Sequence, residues 1–332
     1  RTIDYISFML SSFLFGVFCK NLDVILGTSP QFFTVISAWA LSKFKGVPFI
    51  FELRDLWPAS ITAVGAMKKG KIIYFLEKVE MFLYQQSTAI ITVTNSFKKE
   101  LEERGIPGNK IYVVVNGVDL SMYRKRKKKA AALVERYELK NKFVAGYIGT
   151  HGLAHSLDKV VEAASLLERY DDIRIVFAGG GADRKRIESL VKEKDLRNVV
   201  MIPRQPKEMM PAMLSLCDVS LVHLRNTSLF KKVIPSKIFE SMGMGIPIII
   251  SAPCGEATNI IKDGGLGLVV APENPVELAA AIKSMQLNDN TIMFQKNSLS
   301  ACQKYDRSVL ANQMLNIVER VVKNKGSVSF ES

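Results

Sequence analysis

Residues 143–181 read FVAGYIGTHGLAHSLDKVVEAASLLERYDDIRIVFAGGG. A continuous apolar run at 143–148 ends in Gly149, a helical period fills 157–170, and a second apolar run at 173–178 ends in three glycines. Apolar runs that do not alternate with polar residues mark strands covered on both faces. Strand, helix and strand joined by short links form a right-handed crossover in a parallel sheet. Downstream, strands are expected at 199–202, 219–224, 247–251 and 267–270, with helices at 184–194, 208–216, 237–244, 257–262, 275–287 and 306–323. Upstream the same grammar gives strands at 23–27, 48–52, 89–94 and 110–115, separated by helices at 31–45, 72–86 and 96–104. The fold class is therefore α/β, with two doubly wound parallel-sheet domains, and ligands of such sheets sit at the carboxyl ends of the strands.

The expected division is 1–139 for a first domain, 140–305 for a second, and 306–332 for a terminal helix that packs back on the first. The charged stretch 123–139, with the basic run Arg124 to Lys129, is expected to be helical. The first domain carries fewer strands than the second, and the chain starts at Arg1. The expectation is that the first domain lacks its opening strands, which leaves residues 24–26 at an open sheet edge. Residues 5–18 are the most apolar stretch, shorter than the roughly 20 residues that span a bilayer and interrupted by Ser7, Ser11 and Ser12, so a buried helix is expected.

Composition narrows the function classes. Hydrophobic residues make up 48% and charged residues 23% of 332, which is globular and excludes disorder. The four cysteines, Cys19, Cys217, Cys254 and Cys302, are widely spaced and give neither a disulfide framework nor a zinc pattern, so they read as reduced, buried thiols of a cytoplasmic protein. The net charge of +13 points to an anionic partner: nucleic acid, a membrane surface or phosphorylated substrates. No nucleic-acid module accompanies it, and aromatics do not interleave with the basic run, so no nucleic-acid partner is expected.

Two stretches carry the chemistry. In the loop after residue 148, Gly149 and Gly152 let backbone approach a ligand, while His151 and His155 offer ring nitrogens to phosphate oxygens. The following helix, with Ser156 as the expected N-cap, adds positive potential. The stretch 234–249, IPSKIFESMGMGIPII, starts a helix at Pro235 and Ser236, with Lys237 and Glu240 one turn apart on one face. A lysine in a first turn opposes the helix dipole, so stability alone does not explain it. An ammonium and a carboxylate at that place suit a diphosphate and ribose hydroxyls. The glycines of 179–181 lack the spacing of a dinucleotide fingerprint or a P-loop, and a tight turn is the plainer reading.

Together with VVNGVD at 114–119, PFIFELRDLWP at 48–58 and Gly255-Glu-Ala, these stretches resemble the family-4 retaining glycosyltransferases of GT-B fold. The likeness is strongest to bacterial enzymes that transfer L-fucosamine or another N-acetyl-aminosugar in O-antigen or capsule synthesis, and it covers essentially the whole chain. The resemblance implies two Rossmann-like domains facing a cleft and a nucleotide-sugar donor, UDP-linked, with no metal or other cofactor. It also implies an undecaprenyl-linked glycan acceptor at the inner leaflet of the bacterial membrane, hence a peripheral protein at an anionic surface. By the same resemblance Glu240 holds the donor ribose, Lys237 sits by the diphosphate with Ser236, and the loop of Gly149, Thr150, His151, Gly152 and His155 wraps the phosphates. The family pattern has a second glutamate where this chain has Lys232, and an arginine and lysine where it has Thr150 and His155. Charge neutralisation then falls to Lys237 and Arg204. Arg54 and Asp55 stand where the family has a His-Asp pair, to hold a phosphate and orient an acceptor hydroxyl, or to pair with each other at a strand end. A GT-B UDP-aminosugar epimerase is the alternative enzyme.

Overall fold

The computed structural model describes residues 2–58, 60, 70–125, 128–287 and 291–328. The chain forms two compact units, one of Arg1–Val115 with Val309–Ser332 and one of Asn116–Ser308. The first contains α1 (Thr2–Phe18), β1 (Ile25–Ser29), α2 (Phe32–Lys45), β2 (Phe49–Leu53), α3 (Lys71–Gln86), β3 (Ala89–Thr92), α4 (Asn95–Glu103) and β4 (Ile111–Val113). Its strands are all parallel in the order β1-β2-β3-β4. Among the described residues β1 is an edge strand, as the strand count led us to expect. β2 and β3 are buried nearly throughout, which is why their sequences are uninterrupted apolar runs.

The second unit holds α5 (Ala131–Arg136), β5 (Phe143–Ile148), α6 (Leu157–Leu166), β6 (Ile173–Ala178), α7 (Arg184–Glu193), β7 (Val199–Ile202), α8 (Met210–Leu214) and β8 (Val219–His223). It continues with α9 (Lys237–Gly243), β9 (Ile248–Ser251), α10 (Glu256–Asp263), β10 (Gly267–Val270), α11 (Pro275–Leu287) and α12 (Thr291–Ala301). The parallel order is β10-β9-β8-β5-β6-β7. The chain runs outward from β5 to β7, then returns to β8 on the other side of β5, with Ala145 beside Val219 and Gly146 beside Ser220. That reversal makes the β5 carboxyl end the switch point, where ligands of doubly wound sheets bind. The last helix, α13 (Arg307–Val328), sends Ile317 and Val321 into the core formed by Ile50, Ala89 and Ile91 of the first unit.

Four expectations change. Residues 116–139 belong with the second unit rather than the first. Backbone bridging of Val118 to Asp306, the Lys129–Asp218 ion pair and the Ala130 N–H donated to Ser215 tie them there. Among the described residues of 123–139 only Ala131–Arg136 is helical; Arg126 and Lys127 of the basic run lie outside the described residues. Residues 5–18 do form a helix, but not a buried one. Helix α1 is apolar around most of its circumference and packs on α2, through Gly16 against Leu41 and a Ser12–Ser37 hydroxyl contact of 2.8 Å. Phe8, Leu10, Leu14 and Phe15 remain exposed. No helix among the described residues is long and apolar enough to cross a membrane. Finally, only Cys217 and Cys302 are buried, while Cys19 and Cys254 are exposed.

Candidate functional site

At the switch point of the second unit lies a cavity of about 730 Å³, lined by Gly149, Thr150 and His155 after β5, the glycines after β6, Arg204 after β7, and Pro235, Ser236, Lys237 and Glu240 at the start of α9. The two glycine loops form one wall because neither has side chains between them. Gly179 and Gly181 take φ of +149° and +153°, and a Cβ there would stand 1.8 Å from the Gly149 carbonyl oxygen and 2.3 Å from that of His151. The turn at 179–181 is thus a close-packing device, in accord with the plainer of its two readings.

Lys237 does not pair with Glu240. Its Nζ is buried, makes no hydrogen bond among the described residues, and stands over the Tyr147 ring at 3.5 Å from the centroid. It is also 3.5 Å from where a Gly149 Cβ would be. Burial pulls its amine down to about 7, against the opposing pull of Glu240. Burial likewise raises the Glu240 carboxyl, with Lys237, Arg307 and Lys207 acting to lower it. Arg204 and Lys207 are exposed at the cavity wall, so their charge is available to a ligand. Ser236 also lines the cavity, and its side chain makes no capping bond to α9.

The histidines divide. His151 is fully buried with both ring nitrogens unbonded, packed edge-on to Phe177, and does not line the cavity. Burial first, and then Arg184 and Lys237, lower it to about 4, so it is neutral near pH 7. Its backbone does the structural work, donating to the Gly180 carbonyl and accepting from the Asp183 N–H. Gly152, too, is absent from the lining. His155 does line it, and is locked with His223: each Nδ1 meets the other's backbone carbonyl, at 3.2 and 2.6 Å. Burial lowers both to about 4. Ser156 does not cap α6 with its side chain; at φ 41° its hydroxyl instead donates to Glu273 at 2.8 Å.

Arg54 and Asp55 lie in the other unit, directly after β2. Arg54 is exposed, whereas Asp55 is half-buried, and burial raises its carboxyl against hydrogen bonds from Ser60 and the Leu56 backbone. Among the lining or supporting side chains that the sequence reading missed are Tyr123, Tyr147 and Lys207. Burial, reinforced by Glu240, pushes the Tyr123 hydroxyl up to about 12. No group of three His, Cys, Asp or Glu among the described residues is arranged as metal ligands.

The family model "Glycosyl transferases group 1" matches residues 132–307, more than half of the chain. The chain belongs to the group 1 glycosyltransferases. A second model, "Glycosyltransferase Family 4", matches residues 8–122 of this group 1 glycosyltransferase. Among relatives, it is 25% identical over 299 residues to WcaI of Escherichia coli (strain K12), named as a colanic acid biosynthesis glycosyl transferase, covering 86% of this chain and 72% of WcaI. It is 25% identical over 292 residues to the alpha-D-kanosaminyltransferase of Streptomyces kanamyceticus, covering 85% of this chain and 73% of that one. Among solved structures, Anabaena HepE in complex with UDP superposes with a TM-score of 0.76 at 15% identity, over 95% of this chain and 82% of that one. The two parallel-sheet α/β units are those of the GT-B architecture, as the family-4 likeness implied; only the second sheet shows a reversal of strand order among the described residues.

Proposed function

We propose that this glycosyltransferase acts in cell-envelope glycan synthesis, moving an N-acetyl-aminosugar with retention from a UDP-linked donor to a lipid-linked acceptor. One observation carries the donor half: a buried ammonium, Lys237, with three N–H donors and no hydrogen-bond acceptor among the described residues, set beside a glycine loop and one helical turn from a carboxylate. Such a group is costly to bury unless an anion completes it. The names of the relatives from Escherichia coli and Streptomyces, colanic acid biosynthesis and a kanosaminyltransferase, and the UDP bound to HepE support the glycan, aminosugar and UDP parts. Retention, the N-acetyl group and the lipid-linked acceptor are carried by the family-4 resemblance.

In this reading the diphosphate lies by Gly149, Thr150 and His155, the ribose hydroxyls donate to Glu240, and Ser236 supplies a further hydroxyl. Lys237 and Arg204 stabilise the charge that grows on the departing diphosphate, the contribution that usually dominates such transfers. The sugar C1–oxygen bond to the β-phosphate breaks as the acceptor oxygen bonds to C1 on the same face. The acceptor proton passes to the leaving phosphate oxygen. No metal is assigned to this site, since side chains supply the neutralising charge. Arg54 and Asp55 are assigned to the acceptor side. The exposed face of α1 and the basic run are assigned to an anionic membrane surface at the inner leaflet.

The test is mass spectrometry of products from a panel of UDP-sugars, each with and without a polyprenyl-linked acceptor. Sugar addition that needs the acceptor is expected, and its anomeric configuration reports retention. A changed sugar nucleotide formed without acceptor would instead mark an epimerase.

A further inference from the structure

Tyr147 is the penultimate residue of β5, and its side chain is wholly buried. Three contacts define it. Its ring face receives the Lys237 ammonium at 3.5 Å from the centroid. Its hydroxyl donates to the Thr150 carbonyl oxygen at 2.9 Å, on the loop that lines the cavity. Its edges meet the rings of His151 and His155, each at 5.9 Å between centroids. A tyrosine filling the core needs only the last of these. The first two tie together the buried Lys237 cation of the cavity and the backbone of the loop beside it.

A buried ammonium is drawn to the negative face of an aromatic ring, and the attraction grows as water is excluded. A ring face accepts charge without consuming N–H groups in linear hydrogen bonds. Lys237 is therefore held in place by the ring, and no hydrogen-bond acceptor among the described residues takes its other N–H groups. We infer that Tyr147 is a positioning residue, whose ring holds the Lys237 ammonium beside Gly149 and whose hydroxyl fixes the facing turn at Thr150, so that both meet a nucleotide diphosphate in register. The inference rests on the donor-site reading above and adds a residue that acts through another rather than touching the ligand.

Coupling separates this role from simple core packing. UDP affinity is measured by calorimetry for the wild type, Tyr147→Leu, Lys237→Ala and the double variant, with thermal unfolding recorded for each. Tyr147→Leu is expected to weaken UDP binding by about tenfold, the scale of a desolvated cation–ring contact. In the Lys237→Ala background the same change is expected to cost less than about twofold, because the cation it positions is gone. Tyr147→Phe, which keeps the ring, is expected to lose less than Tyr147→Leu. An equal loss in both backgrounds would make Tyr147 a core residue only, and an unchanged affinity in Tyr147→Leu would overturn the inference as well.

A second measurement needs no nucleotide and no folded Leu variant. In protein carrying ¹³C at lysine Cε, the Lys237 signal, assigned by its absence from Lys237→Ala, is expected to be displaced upfield by the ring and to stay displaced in Tyr147→Phe. A Lys237 signal at the position of solvated lysines would refute the placement. Failure of the wild type to bind UDP would instead strike the donor-site reading, with the ring-current shift still deciding the positioning.

Discussion

Because burial sets the Lys237 amine at about 7, UDP binding should carry a specific pH signature. Only the protonated amine attracts a diphosphate, and a bound diphosphate raises the amine's proton affinity. A group that holds its proton more tightly in the complex favours binding at low pH and loses that advantage as pH rises through the free-protein value. The protonated fraction is about one-half at pH 7 and about one-tenth at pH 8, so the UDP association constant should fall by about tenfold per unit between pH 8 and 9. At pH 8 binding should take up close to one proton, about 0.9. The UDP terminal phosphate, with a pKa of about 6, is about nine-tenths doubly charged at pH 7 and fully so between pH 8 and 9. His151, His155 and His223, lowered to about 4, stay neutral throughout it. Calorimetry from pH 6.5 to 9 in buffers of different ionisation enthalpy counts the protons directly. Lys237→Ala should bind about 10- to 100-fold more weakly at pH 6.5, the scale of charged hydrogen bonds, and show a flat profile. A wild-type profile without slope, or a slope that survives in Lys237→Ala, would refute the reasoning.

Glu240→Ala should weaken UDP by about tenfold or more, through loss of ribose hydrogen bonds to a carboxylate, while inorganic pyrophosphate binding stays within about threefold, as competitive titration would report. Gly181→Ala should destabilise the second unit by about 1–3 kcal/mol in urea unfolding, since its Cβ would stand 2.3 Å from the His151 carbonyl oxygen. Wild-type protein should float with anionic liposomes. Replacing Leu10, Leu14 and Phe15 of α1 by Ser should reduce flotation at all salt concentrations, whereas replacing the cations of 124–129 by Gln should remove only the salt-sensitive part. Equal flotation by all three proteins would dismiss both surfaces as anchors.

Much of the fold was legible because buried parallel strands leave a signal within a few residues of sequence. The runs at 173–178, 199–202 and 247–251 became β6, β7 and β9 with no change of boundary beyond one residue. The glycines at 179–181 were likewise local, and the positive φ of Gly179 and Gly181 goes with backbone packed against backbone. What escaped reading depends on partners far along the chain. Tyr147 takes its meaning from Lys237, ninety positions later, and nothing in FVAGYIG marks its ring as a seat for a cation. His151 read as a ligand donor from its loop, yet the loop turns its ring inward against Phe177. Helix α1 read as buried from hydropathy alone, but hydropathy does not count neighbours, and α2 covers only part of it. The boundary near 140 came from the restart of the strand–helix series after 123–139, whereas the chain's allegiance from Asn116 onward is set by contacts with Asp218 and Asp306.

The account stands on the cavity at the β5 switch point being the donor site. A crystal structure of the protein with UDP tests this directly. The account predicts the diphosphate within hydrogen-bond distance of Lys237 Nζ and the Gly149–Thr150 backbone, with the ribose hydroxyls on Glu240. UDP bound elsewhere, or in this cavity with its ribose at Lys237 and its phosphates away from the glycine loop, would contradict it.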